Sequence, residues 1–218
     1  MRKQFILWVS FLYLLTPLKA SNDTIDSIKT IYEDGQFKTQ YRTKVKASEL
    51  IASEVANDLL KDFHYHPTNL FNWALKDLGL QETKKNDVIF ILKSSITDEK
   101  TGITHGIFDI IVPHFTSFNN VKVNAIVSRS NYTNGKMKVT SNIIYSSFLL
   151  KNALGIVTII TQNKNELFFI TDVSIKFGWF FNIFITRKRY KSIVEWRIKK
   201  FTENLKNECE RRQVLIIN

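Results

Sequence analysis

A two-residue alternation of apolar and polar positions opens the patterned part of this chain. Phe37, Thr39, Tyr41, Thr43 and Val45 fall on one side, and Lys38, Gln40, Arg42, Lys44 and Lys46 on the other. That period predicts a strand with one solvated, basic face. The period then lengthens. Ser48 stands before a stretch in which Ile51, Val55, Leu59 and Phe63 share one stripe, while Glu49, Glu54, Asp58 and Lys61 lie outside it. This predicts an amphipathic helix with Ser48 as its cap. Pro67 ends it at His64–His66, because proline restricts the preceding residue and has no N–H to donate. Thr68 or Asn69 then caps a second, short helix through Leu70, Phe71, Trp73, Ala74, Leu75 and Leu78, terminated by Gly79. Residues 21–36 are polar and mixed, and read as an N-terminal extension.

From residue 88 the two-residue period returns. Val88–Thr97 and Ile103–Val112 read as strands joined across the turn 98–102, and Pro113 stops the second. Val121, Val123, Ala125 and Val127 alternate with Lys122, Asn124, Ile126 and Ser128 in the next. Asn134-Gly135 predicts a hairpin turn. Beyond it Met137, Val139, Ser141, Ile143 and Tyr145 share one phase. Leu154–Thr161 and Leu167–Phe177 form a last pair. Six successive strands with short turns predict an antiparallel meander, and the lack of regularly interspersed crossover helices argues against a doubly wound nucleotide-binding sheet. The chain closes on a long amphipathic helix over 187–212, where Tyr190, Val194, Ile198, Phe201, Leu205 and Cys209 recur every three or four residues.

This order (a strand, two helices, six antiparallel strands, a long final helix) resembles the START-like, or helix-grip, superfamily. The resemblance covers about residues 37–212 and rests on element order. It implies an α+β fold in which a six- or seven-stranded antiparallel sheet wraps the C-terminal helix, within a domain taken as residues 37–218. It also implies a cavity for a lipid or other hydrophobic small molecule. In such a sheet Phe90, Leu92, Phe108, Ile110, Val123, Val127, Val139, Ile143, Phe169 and Val173 would face Val194, Ile198, Phe201 and Leu205 on the helix. Ser141 and Tyr145 share the phase of Val139 and Ile143, and are candidates to orient a polar headgroup. Each of these side chains equally suits plain core packing, since native interiors leave little empty space.

The first 20 residues set the expected compartment. Arg2 and Lys3 precede the apolar run from Phe5 to Leu15, and Ala20 offers a cleavage point. That is the layout of a secretory signal peptide, too short for a comfortable bilayer span. Export to a bacterial periplasm or outer surface is the expectation, with a retained N-terminal anchor or an ordinary N-terminal helix as the alternatives. A single cysteine, Cys209, excludes an internal disulfide, which fits that setting. On the apolar face of the final helix it reads as a buried structural thiol.

The net charge of +11, with 31 Lys and Arg against 20 Asp and Glu, favours anionic partners. Export disfavours nucleic acid, leaving anionic membrane surfaces and acidic ligands. One segment concentrates the relevant residues: Trp179, Phe180, Phe181 and Phe184 stand beside Arg187, Lys188 and Arg189. Aromatics can enter a bilayer interface while nearby cations meet phosphates, so this segment is a candidate membrane-docking edge or cavity entrance. A last strand and bend followed by a solvated charge run would read the same way.

Catalytic signatures are sparse. His64, His66, His105 and His114 show no metal-ligand spacing, and no Walker, dinucleotide-binding, calcium-loop or nucleophile-elbow motif is present. No cofactor is expected. The one general-base candidate is His105, which shares strand parity with Asp109 and would be oriented by it in a common cavity. Three readings follow. The leading one is an exported, non-enzymatic binder of an apolar ligand. The second is an interaction or envelope-structural domain with a filled core, and the third a small enzyme using His105 and Asp109.

Overall fold

The computed structural model describes residues 26–78, 89–112, 116–147, 150–179 and 185–217. Its strands are β1 (Ser27–Glu33), β2 (Gln36–Val45), β3 (Ile89–Asp98), β4 (Ile103–Val112), β5 (Thr116–Arg129), β6 (Lys136–Ser146), β7 (Leu150–Asn163) and β8 (Glu166–Phe177). They form one sheet in the order β1-β2-β8-β7-β6-β5-β4-β3, antiparallel at every pairing. The helices are α1 (Glu49–Tyr65), α2 (Pro67–Asn72) and a C-terminal segment, α3. The last runs through Arg187–Tyr190, a π-helical stretch Lys191–Glu195 and Trp196–Ile217. Among the described residues no helix is long and apolar enough to cross a membrane.

The sheet has eight strands rather than six or seven. The addition, β1, lies in the stretch read from sequence as an extension. It pairs with β2 across Asp34-Gly35, whose φ angles of 53° and 72° suit the mirror-image turn that right-twisted hairpins favour. Most of its residues are exposed, so no buried alternation marks it as a strand. Asp34-Gly35 was the one available signal.

β2 follows its predicted phase, with Phe37, Thr39, Tyr41, Thr43 and Val45 all buried. In α1 the Ser48 hydroxyl accepts from the Ile51 amide, while Ile51, Ala52, Val55, Ala56 and Leu59 form the buried face. α2 departs from expectation at both ends. It begins at Pro67, where a missing N–H costs nothing, and not behind Thr68 or Asn69. It stops at Asn72, because Trp73 leaves the helical region and its indole N–H donates to Asp62 Oδ2 at 2.9 Å.

The main core joins α1 and α3 to β2, β5, β6, β7 and β8 through Val45, Ile51, Val55, Leu59, Val127, Met137, Val139, Val157, Leu167, Phe169, Leu205 and Cys209. Burial pushes the Cys209 thiol up to about 12, so it carries almost no thiolate at neutral pH. The start of α3 is fixed by Tyr190, which stacks on Phe37 at 4.0 Å and shares a 3.0 Å hydrogen bond with Thr39. Its far end holds the β2–α1 corner. There the Lys46 and Ser48 amides donate to the side chains of Glu210 and Gln213, and Arg212 pairs with Asp58 at 2.8 Å. Between these ends the helix lies against the sheet, with Thr202 bonded to Thr171 of β8.

Candidate functional site

Beneath that middle stretch lies a cavity of about 560 Å³. α1 contributes Leu59 and Phe63 to its wall, and the segment from α2 onwards contributes Pro67, Leu70, Phe71, Leu75 and Leu78. The sheet supplies Leu92 and Ser95 from β3, Thr104, Gly106 and Phe108 from β4, and Val123, Ala125 and Val127 from β5. Val139, Ser141 and Ile143 come from β6, Gly155, Ile156 and Val157 from β7, and Thr171 and Val173 from β8. α3 adds Arg197, Ile198 and Phe201 to the wall. The size is that of ordinary small-molecule sites, and so is the preponderance of apolar side chains with a few polar groups.

The two threonine hydroxyls at the wall are engaged with the protein. Thr104 shares hydrogen bonds with Thr97 at 2.9 Å and with His64 Nδ1 at 3.3 Å. Thr171 pairs with Thr202 at 2.7 Å, and Thr202 donates onward to the Ile198 carbonyl at 2.9 Å. Arg197 donates through Nε to the Leu78 carbonyl at 3.0 Å, while Asn204 donates to the carbonyls of Ala74 and Lys76. These bonds tie the 74–78 segment to α3 and so hold that side of the wall.

Phe108, Val127, Val139, Ser141, Ile143, Val173, Ile198 and Phe201 stand at the cavity, together with Leu92 and Val123. Other residues expected there do not. Ile110 packs with Val121 in a separate small core, beyond a register shift between Phe108 and Ile110. Phe169 is buried in the main core, as is Leu205. Tyr145 is 49% exposed. A register shift pairs Ala125 with Ile143 and Asn124 with Tyr145, so Ile144 is an extra residue and Tyr145 leaves the phase of Ser141. Val194 falls within the π-helical stretch. The extra residue there turns the preceding part of the helix by about 100° relative to Ile198, which takes Val194 off the cavity while Tyr190 stays buried as its place on the stripe predicts. The side chain of Phe90 lies outside the described residues.

His105 and Asp109 do not form the expected pair at the cavity. Thr104 and Gly106 face inwards, so His105 between them faces out, exposed, with Nδ1 at 3.0 Å from Asn124 Oδ1. Asp109 sits at the β4–β5 irregularity, accepts from the Asn120 amide at 2.9 Å and pairs with Lys93 at 3.3 Å. The Asn120 amide, with Lys93 behind it, holds its carboxyl below the usual range. Among the described residues no three His, Cys, Asp or Glu side chains converge as metal ligands would.

At the edge predicted to dock on membranes, Trp179 is 80% exposed. Arg187, Lys188 and Arg189 are exposed at the start of α3, with the Arg187 guanidinium 5.2 Å above the ring of Tyr32. Phe180, Phe181, Phe184 and His114 lie outside the described residues, as do the expected leader 1–20 and Gly79.

No protein-family model matches the sequence, and no curated protein matches it. Solved structures do match in architecture. The STAR-related lipid transfer protein of Xanthomonas axonopodis, as fragment 25–204, gives a TM-score of 0.50 at 11% identity over 87% of this chain and 96% of its own. The Zhui aromatase/cyclase of Streptomyces sp. R1128 gives 0.50 at 10% identity over 85% and 96%. The fold is the START-like helix grip. At these identities the likeness is one of architecture, and one neighbour is named for lipid transfer while the other is named an enzyme. The helix-grip fold therefore leaves function to be argued from the cavity.

The sequence signals missed most of the α1–α2 side of this helix-grip cavity. Phe63 was visible on a helical stripe, but nothing local shows that Pro67, Phe71, Leu75 and Leu78 lie across from β3 and β4. Gly106 carried a usable hint, since a glycine inside a strand marks a close approach. A β-carbon there would stand 2.7 Å from Cε2 of Phe108. Arg197 carried none.

Proposed function

We propose that this chain is an exported, non-enzymatic protein that binds or carries a lipid or other hydrophobic small molecule in the cavity beneath α3. The observation that carries the reading is the cavity itself, with its largely apolar wall and its threonine hydroxyls already bonded to the protein. A ligand filling it gains roughly 25 cal/mol for each Å² of apolar surface removed from water. The volume weighs against a filled-core interaction domain.

Wall chemistry supports binding over turnover. Among the described lining residues Arg197 is the sole charged side chain, and none is His, Cys, Asp or Glu, the usual proton carriers. His105 and Asp109 are engaged elsewhere. Export rests on the leader-like pattern of residues 1–20. Contact with anionic membranes rests on the exposed Trp179 and the exposed cations 187–189, which stand close together in the sequence.

The test is titration of the purified protein with N-phenylnaphthylamine, a neutral apolar fluorophore. Saturable uptake of one equivalent, abolished by filling the space with Val139→Trp in a protein that still unfolds cooperatively, is expected. Absence of uptake by the wild-type protein would overturn the proposal.

A further inference from the structure

We propose that two copies of this chain join edge to edge through β1, in antiparallel register about Ile31, so that their eight-stranded sheets become one. The surface is separate from the cavity, since none of the described wall residues comes from β1.

Among the described residues the sheet ends on β1 at one side and on β3 at the other. An end strand offers unpaired N–H and C=O groups to any passing strand, and proteins blunt such edges with bulges and charges. β3 is blunted. A register shift between Leu92 and Ser94 puts Lys93 out of step, and Lys93 pairs with Asp109 of β4 at 3.3 Å. β1 pairs with β2 over all seven residues without a shift and contains no proline. It is also held in shape. Thr30 shares a 2.8 Å hydrogen bond with Thr39, and the Tyr32 ring packs against Phe37 at 4.6 Å with the Arg187 guanidinium over it. A strand already ordered gives up little freedom when it gains a partner.

The charges on β1 select a second copy as that partner. Turned antiparallel about residue 31, the strand meets itself with Ile31 opposite Ile31, Thr30 opposite Tyr32 and Lys29 opposite Glu33. Symmetry makes the Lys–Glu pair twice. Pairing about Lys29 would set lysine against lysine, and pairing about Thr30 would set Lys29 against Ile31. Backbone groups agree with the register about Ile31. The two-residue turn closes on the Glu33–Gln36 pair, so Lys29, Ile31 and Glu33 direct their N–H and C=O groups to β2, and Ile28, Thr30 and Tyr32 direct theirs to the open edge. Thr30 and Tyr32 of the two copies can then exchange hydrogen bonds. Ile31, 45% exposed, is covered by its own counterpart. Lys29 is exposed and joins no ion pair among the described residues, whereas Glu33 is bound by Lys38 at 2.8 Å through Oε2. Lys29 of the second copy would reach its other oxygen.

Sedimentation velocity over a concentration series tests this. A reversible dimer that loosens with added salt is expected. Lys29→Glu alone, and Glu33→Lys alone, put like charges into both pairs, and each should weaken the dimer about tenfold or more. Mixed together they should associate again, because one chain then brings two acids to the edge and the other two bases. Ile31→Cys should oxidise to a disulfide-linked dimer, since opposed residues of a non-hydrogen-bonded pair stand about 4.5 Å apart at Cα. The wild-type protein should not, because Cys209 is buried. A wild-type protein that stays monomeric at every concentration would overturn the proposal. So would a dimer that both charge variants leave intact, or a mixture that fails to associate. If either charge variant does not fold, the Ile31→Cys cross-link still decides. Fluorophore uptake should be the same in monomer and dimer, so either outcome leaves the binding role to its own test.

Discussion

The ring of Phe108 lies so close over Gly106 that a β-carbon at position 106 would stand 2.7 Å from Phe108 Cε2. Both residues line the cavity, so the contact sets how far the ring reaches into it. Gly106→Ala must push the ring aside. Overpacking of this kind costs about 1–3 kcal/mol, against which removal of a strand glycine returns about 0.5–1 kcal/mol. A net loss is therefore expected in urea denaturation. In a Phe108→Leu background the same change should be neutral or stabilising, because the obstructing ring is gone. Simple additivity of the two substitutions would contradict the contact.

The two buried threonines under α3 are not equivalent. Each hydroxyl has one proton; since Thr202 donates to the Ile198 carbonyl, Thr171 is the donor in the 2.7 Å bond between them. Thr202→Val strands the Thr171 hydroxyl and should cost about 1–3 kcal/mol, whereas Thr171→Val leaves Thr202 bonded and should cost less than about 1 kcal/mol. Equal losses would show that the donor order is wrong.

Glu208 links α3 to acid stability. The Arg211 guanidinium donates to both of its oxygens, at 2.9 and 2.7 Å, and Arg212 adds a third bond at 2.7 Å. Arg211 chiefly, and Arg212 after it, hold the Glu208 carboxyl below its ordinary range. A depressed carboxyl stabilises the fold above its unfolded value of about 4.3, and that stabilisation disappears as the pH falls through the lower folded value. Glu208→Gln should therefore be less stable than wild type at pH 7, by about 1 kcal/mol or less after solvent screening. The gap should close in acid. A gap that persists at the acid end would point to packing rather than charge.

The exposed cations at the start of α3 make a separate prediction. Neutralising the three cations with Arg187→Gln, Lys188→Gln and Arg189→Gln should weaken binding to phosphatidylglycerol vesicles. At about 1 kcal/mol for each cation, the combined loss is roughly a hundredfold. Fluorophore uptake in the cavity should not change. The vesicle affinity should also fall with added salt. Vesicle binding that ignores both salt and these charges would remove the membrane role.

Where side chains alternate without interruption, the sequence already displays the site. Val139, Ser141 and Ile143 keep one phase along β6 and reach the cavity as their parity predicts. Parity ends at an inserted residue, and the Ile144 insertion carries no local mark that would warn of it, so Tyr145 was misplaced. The π-helical stretch does the same to Val194 on a helix. β1 was missed because a strand exposed on both faces lacks the burial pattern on which strand prediction relies. Phe71, Leu75 and Arg197 were missed for a different reason. They meet the other wall residues only through tertiary packing, which brings separate elements to one space.

The central claim is that the cavity holds an apolar molecule in the living cell. Its most direct test is mass spectrometry of organic extracts from the protein purified out of its native host by gel filtration under non-denaturing conditions. The account predicts one lipid or other apolar species, in stoichiometric amount and absent from a Val139→Trp control. Protein that arrives empty, and that also takes up neither fatty acids nor N-phenylnaphthylamine, would contradict it.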